Sequence, residues 1–122
     1  MVRVLERHRE RFLARIFAPG EIDLRRRHPG AFAAHVAGRF AAKEAAMKAL
    51  GTGWRGVAFR EIAVRREPGG RPRLVFSGRA LERARRLGVR SAEVTITHTD
   101  QMAAAAVALV TADDAADPSL FG

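Results

Sequence analysis

The sequence predicts an α+β domain in which a long helix packs on a small, mainly antiparallel sheet. Three observations predict it. Ala31 to Leu50 is alanine-rich and free of proline, which favours a long helix. Val57 to Val64 and Leu74 to Phe76 are β-rich runs on either side of Pro68-Gly69-Gly70, the pattern of a hairpin. Ala92 to His98 alternates, with Val94, Ile96 and His98 on one face and Glu93, Thr95 and Thr97 on the other, as in a half-buried strand. A chain of 122 residues with 48% apolar side chains has the size and core of one domain. We expect that domain over 1–112, with an acidic tail over 113–122.

The other elements follow from local signals. From Val2 to Phe17, Leu5, Phe12 and Ile16 recur at helical spacing, with Arg3, Arg7, Arg11 and Arg15 between them, so an amphipathic helix with a basic face is expected. Pro19-Gly20 ends it, Glu21 to Arg27 forms a polar turn or short helix, and Pro29-Gly30 is a second break. In the long helix, Phe32, Val36 and Phe40 form a core-facing stripe that Glu44 and Lys48 continue. Gly51-Thr52-Gly53 stops it. Ser77 is placed to cap a short helix through Leu81, Ala84 and Leu87, which Gly88 closes. Met102 to Val110 is ambiguous: its alanines favour helix, whereas its length and position suit a return strand.

Composition excludes several functions. With no cysteine there is no disulfide scaffold, zinc knuckle or thiol nucleophile. The longest apolar run, Met102 to Val110, falls far short of the roughly 20 residues that span a bilayer, so a cytoplasmic protein with no membrane partner is expected. The charge is 22 − 13 = +9 and is unevenly spread, because Ser91 to Gly122 contains no Lys or Arg. The first 90 residues therefore suit an anionic partner: a nucleotide cofactor, an acidic protein or a nucleic acid. Twenty of the 22 basic residues are Arg, and the two lysines, Lys43 and Lys48, stand close together where a compact point charge is useful.

Glu44 and Lys48 are four apart on the helix, and the simplest reading is a surface ion pair. Arg39 and Lys43, also four apart, are expected on the adjacent edge, which would gather three cations around one carboxylate, an arrangement suited to Mg²⁺ beside phosphates. Gly51-Thr52-Gly53 follows a helix, so the helix dipole opposes an anion there and any phosphate contact needs Lys48 or local amides. His98 lies among hydroxyls in Thr95-Ile96-Thr97-His98-Thr99, and His8, His28 and His35 share no ligand spacing.

Arg39-Phe40-Ala41-Ala42-Lys43-Glu44-Ala45-Ala46-Met47-Lys48-Ala49-Leu50-Gly51-Thr52-Gly53, followed about 40 residues later by Val94-Thr95-Ile96-Thr97-His98-Thr99, closely resembles the holo-[acyl-carrier-protein] synthase family of 4'-phosphopantetheinyl transferases. The likeness runs from Arg11-Phe12 through Phe59-Arg60-Glu61-Ile62 and Gly70-Arg71-Pro72 to Ala103-Ala104-Ala105. The resemblance implies the 4'-phosphopantetheinyl transferase fold. It also implies Mg²⁺-dependent transfer of phosphopantetheine from coenzyme A to a serine of acyl-carrier protein, releasing 3',5'-ADP, in fatty acid biosynthesis. By the same resemblance Glu44 is a metal ligand and catalytic, Lys48 stabilises or protonates the departing phosphate, and Arg39, Lys43, Lys48, Gly51, His98 and Thr99 belong to the coenzyme A pocket. Arg11, Phe12 and Arg15 match the surface that receives the acidic helix of the carrier, and the family's homotrimer, with sites between subunits, makes Met102 to Val110 a strand.

The family opens with a strand bearing Gly-x-Asp, whose aspartate is a second metal ligand. Met1 stands where that segment should have ended, so the resemblance implies an N-terminally truncated domain whose natural form is longer by about a strand. Gly20-Glu21-Ile22-Asp23-Leu24 imitates the motif but lies after the first helix, which makes Asp23 a decoy. Two alternatives share these features: a catalytically impaired fragment that still binds acyl-carrier protein, and a basic nucleic-acid-binding module. Against the module, Phe32 and Phe40 fall on a core stripe and there is no tyrosine, so we expect no nucleic-acid partner.

Overall fold

A computed structural model describes residues 10–22, 29–99 and 101–111. Residues 10–16 are helical (α1). They are followed by α2 (Pro29–Leu50), a single turn α3 (Gly53–Gly56), a 3₁₀ turn (Phe59–Glu61), β1 (Ile62–Arg66), β2 (Pro72–Phe76), α4 (Gly78–Leu87), β3 (Val89–His98) and β4 (Ala103–Thr111). The strands form two antiparallel hairpins, β1–β2 and β3–β4. In the first, Val64 faces Leu74; in the second, Val94 faces Val107 and Ile96 faces Ala105. The expected α+β class and long central helix are both present. The expected tail and the expected helix before residue 10 lie outside the described residues, as does Asp23.

One sequence expectation changes and one open alternative closes. Val57 to Phe59 is not strand: the chain turns through the 3₁₀ segment and β1 starts at Ile62. The turn is fixed by Glu61, whose Oε1 accepts from the Ala58 N–H at 2.6 Å while its Oε2 accepts from the Arg79 amide at the start of α4. The ambiguous segment Met102 to Val110 forms the strand that the resemblance implies, with bounds Ala103–Thr111. Ala103, Ala105, Val107 and Leu109 turn towards α2 and are half-buried, while Ala104, Ala106, Ala108 and Val110 face outwards. Burial of one face against a long helix overrides the helix propensity of alanine.

The helix itself buries a different edge from the one its apolar pattern suggests. His35, Gly38, Arg39, Ala42, Lys43, Ala46, Met47 and Leu50, at helical spacing, are the buried stripe. Its lower part joins Val57, Ile62, Val64 and Leu74 in the core. Phe32, Val36 and Phe40 are half-buried instead, in a groove beneath α1. Gly38 is required where α2 meets β3, since a Cβ there would stand 2.8 Å from Cγ2 of Ile96.

Lys43 is wholly enclosed, and so is the side chain of Glu21. Its ammonium donates to Glu21 Oε1 at 2.8 Å, to the carbonyl of Phe59 at 2.9 Å and to that of Ile62 at 2.5 Å, which uses all three of its N–H bonds. The ring of Phe17 lies 5.1 Å from the same nitrogen. Glu21 also accepts from the amides of Ala18 and Val64, at 3.0 and 2.8 Å. Burial holds the Lys43 pKa below its ordinary 10.5, and the Glu21 charge opposes that shift.

Lys43→Met leaves the Glu21 carboxylate buried without its partner and should cost about 3–5 kcal/mol, whereas Glu21→Leu with Lys43→Met should cost far less, as urea unfolding will show. With a folded-state pKa below the unfolded one, Lys43 binds fewer protons in the native state than in the unfolded chain between those two values. Its contribution to stability should therefore rise as pH climbs from the folded-state pKa towards 10.5, in wild type but not in the double variant.

Candidate active site

Along α2 the edge opposite the core turns from apolar to charged. Phe32, Val36 and Phe40 give way to Glu44 and Lys48, both exposed, each one turn further towards the C-terminus. The surface ion pair suggested by their spacing does not form: neither side chain has a hydrogen bond or ion pair to any described residue. A carboxylate and an ammonium thus face solvent a helical turn apart, at the end of α2 where the helix dipole favours a cation. No cluster of three metal-ligating side chains exists among the described residues. An exposed carboxylate such as Glu44 suits Mg²⁺, which keeps several waters and takes further ligands from phosphate oxygens.

Arg39 and Lys43 correct the expectation of three cations around this carboxylate. Both are buried on the inner edge of α2. Every donor of Lys43 is engaged inside the protein, so its ammonium has none left for a coenzyme A phosphate. Arg39 faces a cavity of about 200 Å³ between α2 and β3, shared with His35, Gly38, Ile96 and His98. Its Nη1 donates to Nδ1 of His35 at 2.8 Å. The structure therefore brings together Arg39 and His98, residues 59 positions apart in sequence, at one opening.

Thr99 sits beyond the end of β3 and builds the hairpin turn. Its Oγ1 accepts from the amides of Gln101 and Met102, and its own amide donates to Met102 O at 2.7 Å. Gly51 has φ +74°, and its amide donates to Lys48 O at 3.1 Å, so the helix ends in a left-handed residue as the sequence indicated. Unforeseen in the sequence is what lies beside it. Arg83 on α4 donates from Nε to the carbonyl of Leu50 at 2.9 Å, capping the C-terminus of α2. With Arg79 and Arg86 it lines a second cavity, of about 460 Å³, shared with Gly51 and Thr52. Only the helical spacing of the arginines on α4 signalled it.

On α1, Arg11 and Arg15 are exposed and Phe12 is 60% exposed. Phe12 also edges the apolar groove, of about 520 Å³, that runs over Phe32, Val36 and Phe40. An aromatic ring flanked by two guanidinium groups is a surface for an acidic, partly apolar partner.

The chain matches the model of the 4'-phosphopantetheinyl transferase superfamily over residues 1–108. It belongs to that family. Among its relatives, the holo-[acyl-carrier-protein] synthase of Koribacter versatilis is 49% identical over 106 residues, covering 86% of this chain and 84% of that one. The synthase of Halorhodospira halophila is 52% identical over 110 residues, covering 89% and 86%. The crystal structure of the Helicobacter pylori holo-[acyl-carrier-protein] synthase in complex with coenzyme A has a TM-score of 0.71 and 28% identity, covering 88% of this chain and 89% of that one. That of Neisseria meningitidis has a TM-score of 0.73 and 27% identity, covering 90% and 88%. Within this phosphopantetheinyl transferase architecture, Arg39, Glu44 and Lys48 lie on α2, His98 on β3, Arg83 on α4, and Arg11, Phe12 and Arg15 on α1.

Because Gly51 alone can take its φ without strain, Gly51→Ala should lower stability by about 1 kcal/mol in urea unfolding. Its new Cβ would stand 3.5 Å from Arg83, an ordinary contact, so the cost is conformational and Gly51→Asn should recover part of it.

Proposed function

We propose that this protein transfers 4'-phosphopantetheine from coenzyme A to a serine of apo-acyl-carrier protein, giving holo-acyl-carrier protein and 3',5'-ADP. The observation that carries this reading is the uncommitted Glu44 and Lys48 edge of α2, in a chain of this family. Glu44 would hold Mg²⁺, which supplies charge neutralisation at the pyrophosphate. Lys48 donates hydrogen bonds to the departing phosphate. The carrier serine oxygen forms the new bond to the phosphorus on the pantetheine side, and the bond from that phosphorus to the bridging oxygen of 3',5'-ADP breaks. Lys48, Arg39, Gly51, His98 and Thr99 are the proposed coenzyme A contacts; Lys43 acts at one remove, by fixing the helix that bears them.

Arg11, Phe12 and Arg15 are the proposed dock for the acidic carrier protein, which their exposure supports. We assign the transferase to one domain over 1–112, and the family match to residue 108 supports that limit. A homotrimer with sites between subunits is part of the same proposal. The outward face of β3–β4 supports it, since Thr95, Thr97, Ala104, Ala106 and Ala108 are exposed, small and uncharged, a surface suited to close packing. No helix of the described residues is long and apolar enough to cross a membrane, and we place the reaction in fatty acid biosynthesis in the cytoplasm.

The test is the intact mass of apo-acyl-carrier protein after incubation with this protein, coenzyme A and Mg²⁺. A gain of one phosphopantetheine is expected, abolished by a chelator and reduced by at least about a hundredfold in rate in Glu44→Ala. Carrier binding with no mass gain would identify a binding-only protein instead.

A further inference from the structure

Three arginines of α4 face the end of α2 across the cavity of about 460 Å³ that Gly51, Thr52, Gly56 and Glu82 complete. Arg79, Arg83 and Arg86 recur at helical spacing, and the simplest account of such a stripe is a solvated face. Arg79 and Arg86 fit that account. Both are exposed; Arg79 stands 3.7 Å from Glu61, and Arg86 pairs with Glu82 one turn earlier. Arg83 does not fit it. It is half-buried, its Nε is held on the carbonyl of Leu50, and its Nη2 lies over Gly51, 3.5 Å from where a Cβ would stand. Of the three it is the guanidinium with no ion pair among the described residues. With Glu61 and Glu82 counted against the three arginines, one positive charge is left in excess. Thr52 adds a hydroxyl oxygen that is shielded from solvent and has no hydrogen-bond partner among the described residues.

We propose that this cavity is an anion subsite that takes a phosphate group, with Arg83 as its central donor. The C-terminus of a helix disfavours anions, because its last carbonyls carry the negative end of the dipole. Arg83 reverses that at α2: its Nε answers the Leu50 carbonyl and its positive charge is fixed beside the helix end. Its two Nη groups have no acceptor among the described residues, and a guanidinium fork matches two oxygens of a phosphate. Anchoring Nε on a second element also removes much of the side-chain freedom that an arginine otherwise loses on binding. A phosphate offers more charge and more acceptor oxygens than a carboxylate, which suits a concave wall with polar groups on both sides. The proposal stands apart from the transferase reading, since it needs no chemistry at Glu44 or Lys48.

The experiment titrates the full chain with inorganic pyrophosphate by calorimetry, in a Lys48→Ala background that removes the cation at the edge of α2. Pyrophosphate should bind, and adding Arg83→Gln should weaken it about tenfold. Gln is the decisive replacement, because its amide nitrogen stands at the ε position and keeps the cap on Leu50 while losing the charge and the fork. Arg83→Lys keeps the charge alone and should fall between the two. If Arg83 only capped α2, Arg83→Gln would bind as tightly as its parent; that result, or no binding of pyrophosphate to the Lys48→Ala chain, overturns the proposal. Should Arg83→Gln fail to fold, Arg79→Gln combined with Arg86→Gln decides: binding weakened about threefold supports the subsite, and unchanged binding overturns it. Coenzyme A titrated into otherwise wild-type chains separates two sources of the phosphate. Weakening by Arg83→Gln in step with pyrophosphate places a coenzyme A phosphate in the cavity, whereas unchanged coenzyme A affinity with weakened pyrophosphate places a separate phosphate ligand there. Weaker binding of acyl-carrier protein with pyrophosphate unaffected would make this wall a protein dock and overturn the proposal.

Discussion

The structure depends on one buried ion pair. Glu21 lies after α1, Lys43 lies in the middle of α2, and through them the Ala18 turn, the 3₁₀ segment and the first strand are tied to one point. Two charges withdrawn from water are tolerable only when their hydrogen bonds are satisfied, and here Lys43 spends all three and Glu21 accepts with both oxygens. Such a pair contributes less to stability than to uniqueness. An apolar pair of similar size would fill the space yet would not dictate which backbone amide or carbonyl comes to it. With α1, α2 and β1 registered by this contact, the rotation of α2 about its own axis is settled.

That rotation decides what the helix shows to solvent. Lys43 and Glu44 are neighbours in sequence but about 100° apart around the helix, so fixing one inwards turns the other outwards. The same motif thus contains a structural half and an exposed half. Its inner residues hold the core and the wall of the α2–β3 cavity, and its outer charged residues, Glu44 and Lys48, have no hydrogen bond or ion pair to any described residue. The hairpin β3–β4 completes the arrangement from the other side by bringing His98 to the cavity that Arg39 lines. Arg39 and His98 reach this opening through the packing of the elements that carry them.

Much of this was legible in the sequence because the signals are local. Alanine content and the flanking glycines define α2 to within two residues, Pro68-Gly69-Gly70 marks the first turn, and alternation marks β3. The long motif around Glu44 and Lys48 identified the exposed edge and the family. The core-facing edge of α2 was misread, since the true inner stripe includes His35, Arg39 and Lys43 and so hides behind polar side chains. What makes Lys43 tolerable inside is supplied from elsewhere: Glu21, 22 residues away, and carbonyls of Phe59 and Ile62. No periodicity within α2 could report partners brought in by tertiary folding. The same reason hid Arg83, whose role is to cap a helix ending 33 residues earlier.

Among twenty-two basic side chains only two are amines, and folding divides them completely: one sealed from solvent, the other open to it. Acylating reagents attack the deprotonated, accessible amine, and enclosure removes Lys43 from their reach. The folded chain therefore carries a single addressable lysine side chain, at the edge where the phosphates are expected. Its modification would report occupancy of that edge directly, and the sudden appearance of a second modified lysine would report the opening of the core.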